Sequence, residues 1–188
     1  MTRELQEKLE SYQRVWAEVD LDAIWENMVH MKENIAENTK ILAVIKTDGY
    51  GHGGVPIAKM LEQLDFMFGY AAATYEEAHV LREAGVKKPI LILGYTFPYC
   101  YEELIREEIR PAVYRRDTVE ELAAAAAKVG KKAKVHIKVD TGMGRIGITP
   151  DEEGLEFVRF LIEHPELEVE GIFTHFAKSD ETDKTSAN

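Results

Sequence analysis

Short β-branched runs alternate with longer amphipathic stretches along nearly the whole chain, and this alternation constrains the fold more than any other feature. A first short strand candidate lies at Trp16 to Val19. Further candidates follow at 40–46 (KILAVIK), 66–71 (FMFGYA), 90–93 (ILIL), 110–113 (RPAV), 134–139 (KVHIKV) and 169–174 (VEGIFT). Helix patterns fill the gaps, over Leu21 to Ala36 and near 55–63, 74–84, 98–108, 118–129 and 150–163. Strict alternation implies parallel strands joined by right-handed crossovers. Two α/β architectures satisfy it, an open doubly wound sheet and a (β/α)8 TIM-type barrel. The units recur roughly every 26 residues, so eight of them counted from residue 40 end near residue 248, which matches the roughly 250 residues of a typical barrel. The 188 residues therefore correspond to a barrel truncated to about six strands. No stretch rich in Pro, Gly or Ser marks a boundary, so residues 1–188 read as the N-terminal part of one domain.

Helix punctuation supports these limits. Thr74 with Glu77, and Thr118 with Glu121, have the spacing of capping boxes. Thr149, Pro150 and Glu152 combine a cap, a first-turn proline and a third-position acid. Gly85, Gly130 and Pro165 close helices. Ala123 to Ala127 is helix-favouring filler.

Charge excludes several function classes. Lys and Arg total 23 against 34 Asp and Glu, for a formal charge of −11. Nonspecific binding to nucleic acid or to an anionic membrane needs the opposite balance. The single cysteine, Cys100, cannot form an internal disulfide. Met1 to Gln13 has no apolar core for a signal peptide, and no run approaches the roughly 20 apolar residues of a membrane span. The expectation is a cytoplasmic protein acting on a small molecule.

In such folds the reacting groups sit at the C-terminal ends of strands. Ile41 to Ile45 ends in Lys46. Desolvation there would lower the amine's pKa and make it the nucleophile that a Schiff base requires, whereas an ordinary strand-end lysine would extend into solvent. Thr47 to Gly54 follows as a loop with four glycines, Tyr50 and His52. Together these favour an anionic cofactor over a plain flexible loop. Along 134–139, His136, Lys138 and Asp140 alternate with apolar residues, although both faces of a parallel strand should be apolar. Either the strand is a wet edge, or a polar barrel interior carries catalytic groups.

Gly142-Met143-Gly144-Arg145-Ile146-Gly147 matches the dinucleotide pattern G-x-G-x-x-G literally. The next helix starts beyond the last glycine, so pyrophosphate would not meet its N-terminus. Arg145 could instead clamp a carboxylate or phenolate. His175 ends the last strand. With His52 it lacks metal-ligand spacing, so no metal is expected.

Taken together, these residues resemble the alanine racemases. Ala43-Val44-Ile45-Lys46-Thr47-Asp48-Gly49-Tyr50-Gly51-His52-Gly53 is similar to that family's pyridoxal-phosphate signature, and Trp16 to Leu21 to its opening. Lys138 to Gly147 and Thr174 to Ala177 resemble two further signatures, all in family order over residues 16–177. Thr47 and Gly49 depart from the commonest form, which often has alanine at those positions.

The resemblance implies a PLP-dependent racemase that interconverts L- and D-alanine by proton abstraction and return at Cα, with pyridoxal 5'-phosphate held on Lys46 as an aldimine. Tyr50 would contact the phosphate, and His175 would join the cofactor-side hydrogen bonds. Arg145 would face the cofactor oxygen and the substrate carboxylate. The lysine matching Lys138 is often carbamylated in the family and paired with the arginine matching Arg145. A family enzyme acts as a homodimer and supplies D-alanine for cell walls. Its second base is a tyrosine from the partner's C-terminal β domain, and residues 16–20 would be a strand belonging with that domain. Neither the tyrosine, the arginine facing the pyridine nitrogen nor most of the phosphate loop is in these 188 residues, so low or no activity is expected of the chain alone. The alternatives are a non-catalytic PLP-binding barrel, another fold-related amino-acid racemase or decarboxylase, and a nicotinamide-dependent oxidoreductase using Gly142 to Gly147.

Overall fold

The computed structural model describes Lys8, Tyr12 and residues 15–182. Most of Met1 to Gln13, and the last six residues of the polar tail from Lys178, lie outside that range, and so does the reading made of them. Six parallel strands form one sheet: β1 (Ile41–Val44), β2 (Met67–Ala72), β3 (Ile90–Ile92), β4 (Ile109–Val113), β5 (Ala133–Val139) and β6 (Leu167–Thr174). Helices α1 (Leu21–Glu33), α2 (Gly54–Leu61), α3 (Tyr75–Glu83), α4 (Tyr101–Arg106), α5 (Arg116–Val129) and α6 (Glu152–Ile162) lie between them.

The strand order is β1-β2-β3-β4-β5-β6, each pairing in parallel with the next. A doubly wound sheet reverses its order at a switch point. This sheet never does, so the barrel reading holds, and six of its strands make a half-barrel.

One face of the sheet packs against the helices. Tyr70, Ala72, Ile90, Ile92, Ile109, Val113, Val135 and Ile137 join Leu61, Leu81, Leu104, Leu122 and Leu161 in a single buried cluster. Each such side chain contributes about 1.5–3 kcal/mol by leaving water. Strand alternation then turns Ala71, Leu91, Ala112, His136 and Lys138 to the concave inner face. β5 pairs on both sides, and its polar residues are buried, with His136 8% and Lys138 3% exposed. It is therefore not a wet edge; the polar side chains line the barrel interior.

Asp20 caps α1, accepting from the Ala23 amide at 3.0 Å. Two other helix starts differ from the sequence reading. Helix α5 starts at Arg116, so Thr118 is buried inside its first turn rather than capping it. Asp151, not Thr149, caps α6 by accepting from the Gly154 amide at 3.1 Å. A free carboxylate two residues on satisfies the orphan amide better than the hydroxyl before the proline. Helix α1 ends at Glu33, three residues short of the expectation, and the Lys32 ammonium donates to the carbonyls of Ala36, Glu37 and Thr39. Residues 15–20 run without strand pairing among the described residues, with Trp16 exposed.

Candidate active site

Lys46 follows β1 after a single residue, Ile45. The last rung between the first two strands is Ile45 N to Ala71 O at 2.9 Å, after which they part. The chain then turns with the wrong hand: Thr47, Asp48, Gly49 and Tyr50 have φ of 52, 53, 62 and 55°. Left-handed backbone costs a non-glycine residue roughly 1–2 kcal/mol, so the turn persists only because its surroundings fix it. Asp48 Oδ1 accepts from the Gly54 amide at 2.7 Å, and Asp48 O from the Gly53 amide at 2.9 Å. Glu77 holds the other side, with Oε1 accepting from the Thr47 amide at 2.9 Å and Oε2 from the Ala73 amide at 2.8 Å.

Only half of the expected Thr74–Glu77 capping box therefore forms. Thr74 accepts from the Glu77 amide, while the Glu77 carboxylate reaches across to the lysine turn. Lys46 is partly buried, its Nζ lies 5.9 Å from the ring centre of the exposed Tyr50, and no carboxylate pairs with it among the described residues. A partly buried amine with no acid partner, beside a phenol and a glycine-rich turn, is suited to hold an aldehyde that carries an anionic group.

At the far side of the sheet, β5 ends in a second built loop. Asp140 Oδ1 accepts from the amides of Gly142 and Gly144, each at 3.0 Å, and Oδ2 from the Arg145 amide at 3.1 Å. Those hydrogen bonds hold its carboxyl below the usual carboxylate range. Gly147, at φ 133°, lets the chain fold back on β5, since a Cβ there would sit 2.6 Å from the Asp140 nitrogen. The helix begins five residues beyond this glycine, so the loop does not present a helix N-terminus to a pyrophosphate.

Arg145 stands exposed on this loop. Beneath it, Lys138 Nζ donates to Val139 O at 3.1 Å and lies 5.1 Å from the centre of the Phe173 ring. Burial pushes the Lys138 pKa down, the Arg145 cation pushes it further, and Asp140 partly offsets both. A desolvated amine that feels a guanidinium would be stabilised by an anion placed close to both.

Deeper on the same face lies a buried charge cluster absent from the sequence reading. Glu170 accepts from Arg110 through both oxygens, at 3.0 Å each, and Oε2 lies 3.0 Å from His136 Nε2. The Arg110 contact above all holds Glu170 at about 2. Its signal is a register break: Val135 pairs with Val169, but His136 pairs with Gly171. Glu170 is the extra residue of a β-bulge, re-aimed toward the interior.

The strand ends thus gather Lys46 with Tyr50, and Lys138 with Arg145. His175 follows β6, exposed, beside the Thr141–Thr174 hydroxyl contact of 2.8 Å. Among the described residues no hydrogen bond or ion pair joins it to the other candidates. His52 sits on the Lys46 turn, its Nδ1 3.3 Å from Tyr50 O, and among the described residues no three metal-ligating side chains converge.

A family model described as alanine racemase, N-terminal domain, matches residues 19–188. An alanine racemase of Clostridium perfringens is 49% identical over 171 residues, covering 91% of this chain and 44% of that protein. A solved alanine racemase of Clostridium difficile 630 in complex with cycloserine superposes with a TM-score of 0.90 at 39% identity, over 94% of this chain and 49% of the other. A histidine racemase from Leuconostoc mesenteroides subsp. sake does so with a TM-score of 0.80 at 27% identity, over 90% of this chain and 45% of the other. The chain spans about half the length of the relatives it matches.

Proposed function

The chain belongs to the alanine racemase N-terminal domain family, and on that premise we propose that the protein containing it interconverts L- and D-alanine with pyridoxal 5'-phosphate. The observation that carries this reading is Lys46: an amine at the C-terminal end of a barrel strand, partly buried, free of any acid partner among the described residues, and next to a phenol. Those features fit a cofactor with an aldehyde at one position and a phosphate at another. When bound, the cofactor supplies an electron sink that lowers the acidity barrier at the substrate Cα.

The protein's own groups do the rest. Lys46 Nζ would hold the cofactor and, once the substrate's own amine has displaced it, would be free to move a proton to or from one face of Cα. Tyr50 offers its hydroxyl to the phosphate. Arg145 clamps the substrate carboxylate and the cofactor's ring oxygen with its planar fork. Lys138 carries a carbamate: its neutral amine attacks carbon dioxide, one N–C bond forms and one proton leaves, and the new anion faces Arg145. His175 joins the hydrogen bonds on the cofactor side. Inversion needs a second proton-transfer group on the opposite face, which we assign to a partner subunit of a cytoplasmic homodimer.

The test is borohydride reduction of the chain mixed with pyridoxal phosphate, followed by peptide mapping. A pyridoxyl group on Lys46 that disappears in Lys46→Ala is expected; an undiminished adduct in that variant overturns the assignment. The histidine racemase sharing this architecture supports a second reading, in which another amino acid is the substrate. Competition among L-amino acids for deuterium exchange at Cα, in the full-length protein, decides between the two.

A further inference from the structure

We propose that Glu77 is a positioning residue for Lys46, an inference that rests on the cofactor reading above. Where β1 and β2 separate, two backbone amides lose their ladder partners, Thr47 N on one strand end and Ala73 N on the other. One carboxylate takes both, at 2.9 and 2.8 Å. The same peptide is held from its other side, because Thr47 Oγ1 donates to Lys46 O at 2.7 Å.

The plane of the peptide following Lys46 is thus gripped at both ends, and with it the ψ angle that aims the lysine's Cα–Cβ bond. Nothing else among the described residues joins the left-handed turn to the β2–α3 connection by a charged acceptor. Asp48, the other acid of this region, ties the turn only to its own continuation at Gly54. Glu77 therefore sets the direction in which the Lys46 amine leaves the sheet, without touching cofactor or substrate itself. A helix cap alone needs no such reach. Thr74 already caps α3, and the Glu77 carboxylate bypasses the cap residue's own amide.

The experiment compares the 188-residue chain with Glu77→Gln and with Thr74→Ala, which weakens the same helix start without touching the turn. Three readouts are taken: the pyridoxal phosphate concentration that half-saturates the borohydride-trapped adduct on Lys46, the distribution of trapped pyridoxyl between Lys46 and surface lysines, and amide hydrogen exchange over residues 45–51. In Glu77→Gln one amide faces an NH2 group, so half-saturation should rise about tenfold, as for one lost charge-assisted hydrogen bond. Trapped pyridoxyl should also spread to surface lysines, and exchange over 45–51 should quicken. Thr74→Ala should lower the melting temperature and leave all three wild-type.

Wild-type trapping in Glu77→Gln, or an equal loss in Thr74→Ala, overturns the proposal. If Glu77→Gln does not fold, Glu77→Asp is read the same way. Failure of both to fold also overturns it, since the carboxylate would then be holding the barrel and not the lysine. If the wild-type chain traps nothing on Lys46 while exchange still quickens in Glu77→Gln alone, the cofactor reading falls and the positioning of Lys46 stands.

Discussion

At the scale of single residues, two buried charges on the inner face behave in opposite ways. Lys138 is an unpaired cation whose folded pKa lies below its unfolded one, first through burial and then through Arg145. Its cost is absent above the unfolded lysine pKa and grows as pH falls toward the folded value. Without bicarbonate, Lys138→Met should therefore stabilise the chain at neutral pH, by about 1–3 kcal/mol in urea denaturation. If carbon dioxide occupies the site, a carbamate signal should appear by NMR with labelled bicarbonate in the wild-type chain and be absent from the variant. Glu170 is the converse case. Its carboxyl is held at about 2 against an ordinary 4.5, so its stabilisation is complete above the higher value and is lost as pH falls through the lower one. Glu170→Gln leaves Arg110 buried with the Glu108 carbonyl but without its carboxylate partner. It should cost about 3–5 kcal/mol at pH 7 and flatten the acid limb of the stability–pH curve. A steep acid limb that survives the substitution would assign that limb to other carboxylates.

At the scale of elements, the strands were legible because a parallel strand buried on both sides leaves a short apolar run, as in 90–92. The barrel was legible because those runs recur at an average spacing that eight units would carry to the length of a barrel. The strand-end candidates were legible because Lys46, Lys138 and Arg145 interrupt apolar or glycine-rich contexts. Less visible were the devices that aim them. No propensity marks three non-glycine residues in a left-handed turn, since tertiary hydrogen bonds override the local preference there. Glu77 looked like a cap residue because a capping box and a cross-strand clamp put the same acid at the same spacing. The β6 bulge was hidden because a one-residue slip of register leaves no trace in composition. That bulge also explains Gly171: a Cβ there would come within 2.8 Å of the His136 ring. Gly171→Ala should push the imidazole off Glu170 and cost about 1–3 kcal/mol in chemical denaturation. A neutral outcome would mean that β6 shifts without disturbing the cluster.

At the scale of the whole molecule, the sheet ends on two edge strands. Among the described residues β1 and β6 each have one neighbour, and each leaves a row of backbone donors and acceptors without a ladder partner. The packing on β6 is equally incomplete. Ile172 pairs in register with Ile137, which is 3% exposed under the helices, yet Ile172 is itself 64% exposed. Val169 on the same strand and Val44 on β1 are bare as well. Parallel edges flanked by exposed branched side chains template further strands, and the net charge of −11 opposes association only over the roughly 10 Å that salt leaves unscreened. The 188-residue chain by itself should therefore associate at micromolar concentration, and more readily as salt rises. Sedimentation velocity over a salt series measures this directly. Ile172→Lys, which puts a charge on the β6 edge, should shift the distribution toward monomer without altering the circular dichroism spectrum. A monodisperse wild-type monomer at high salt would overturn the expectation that these edges drive association.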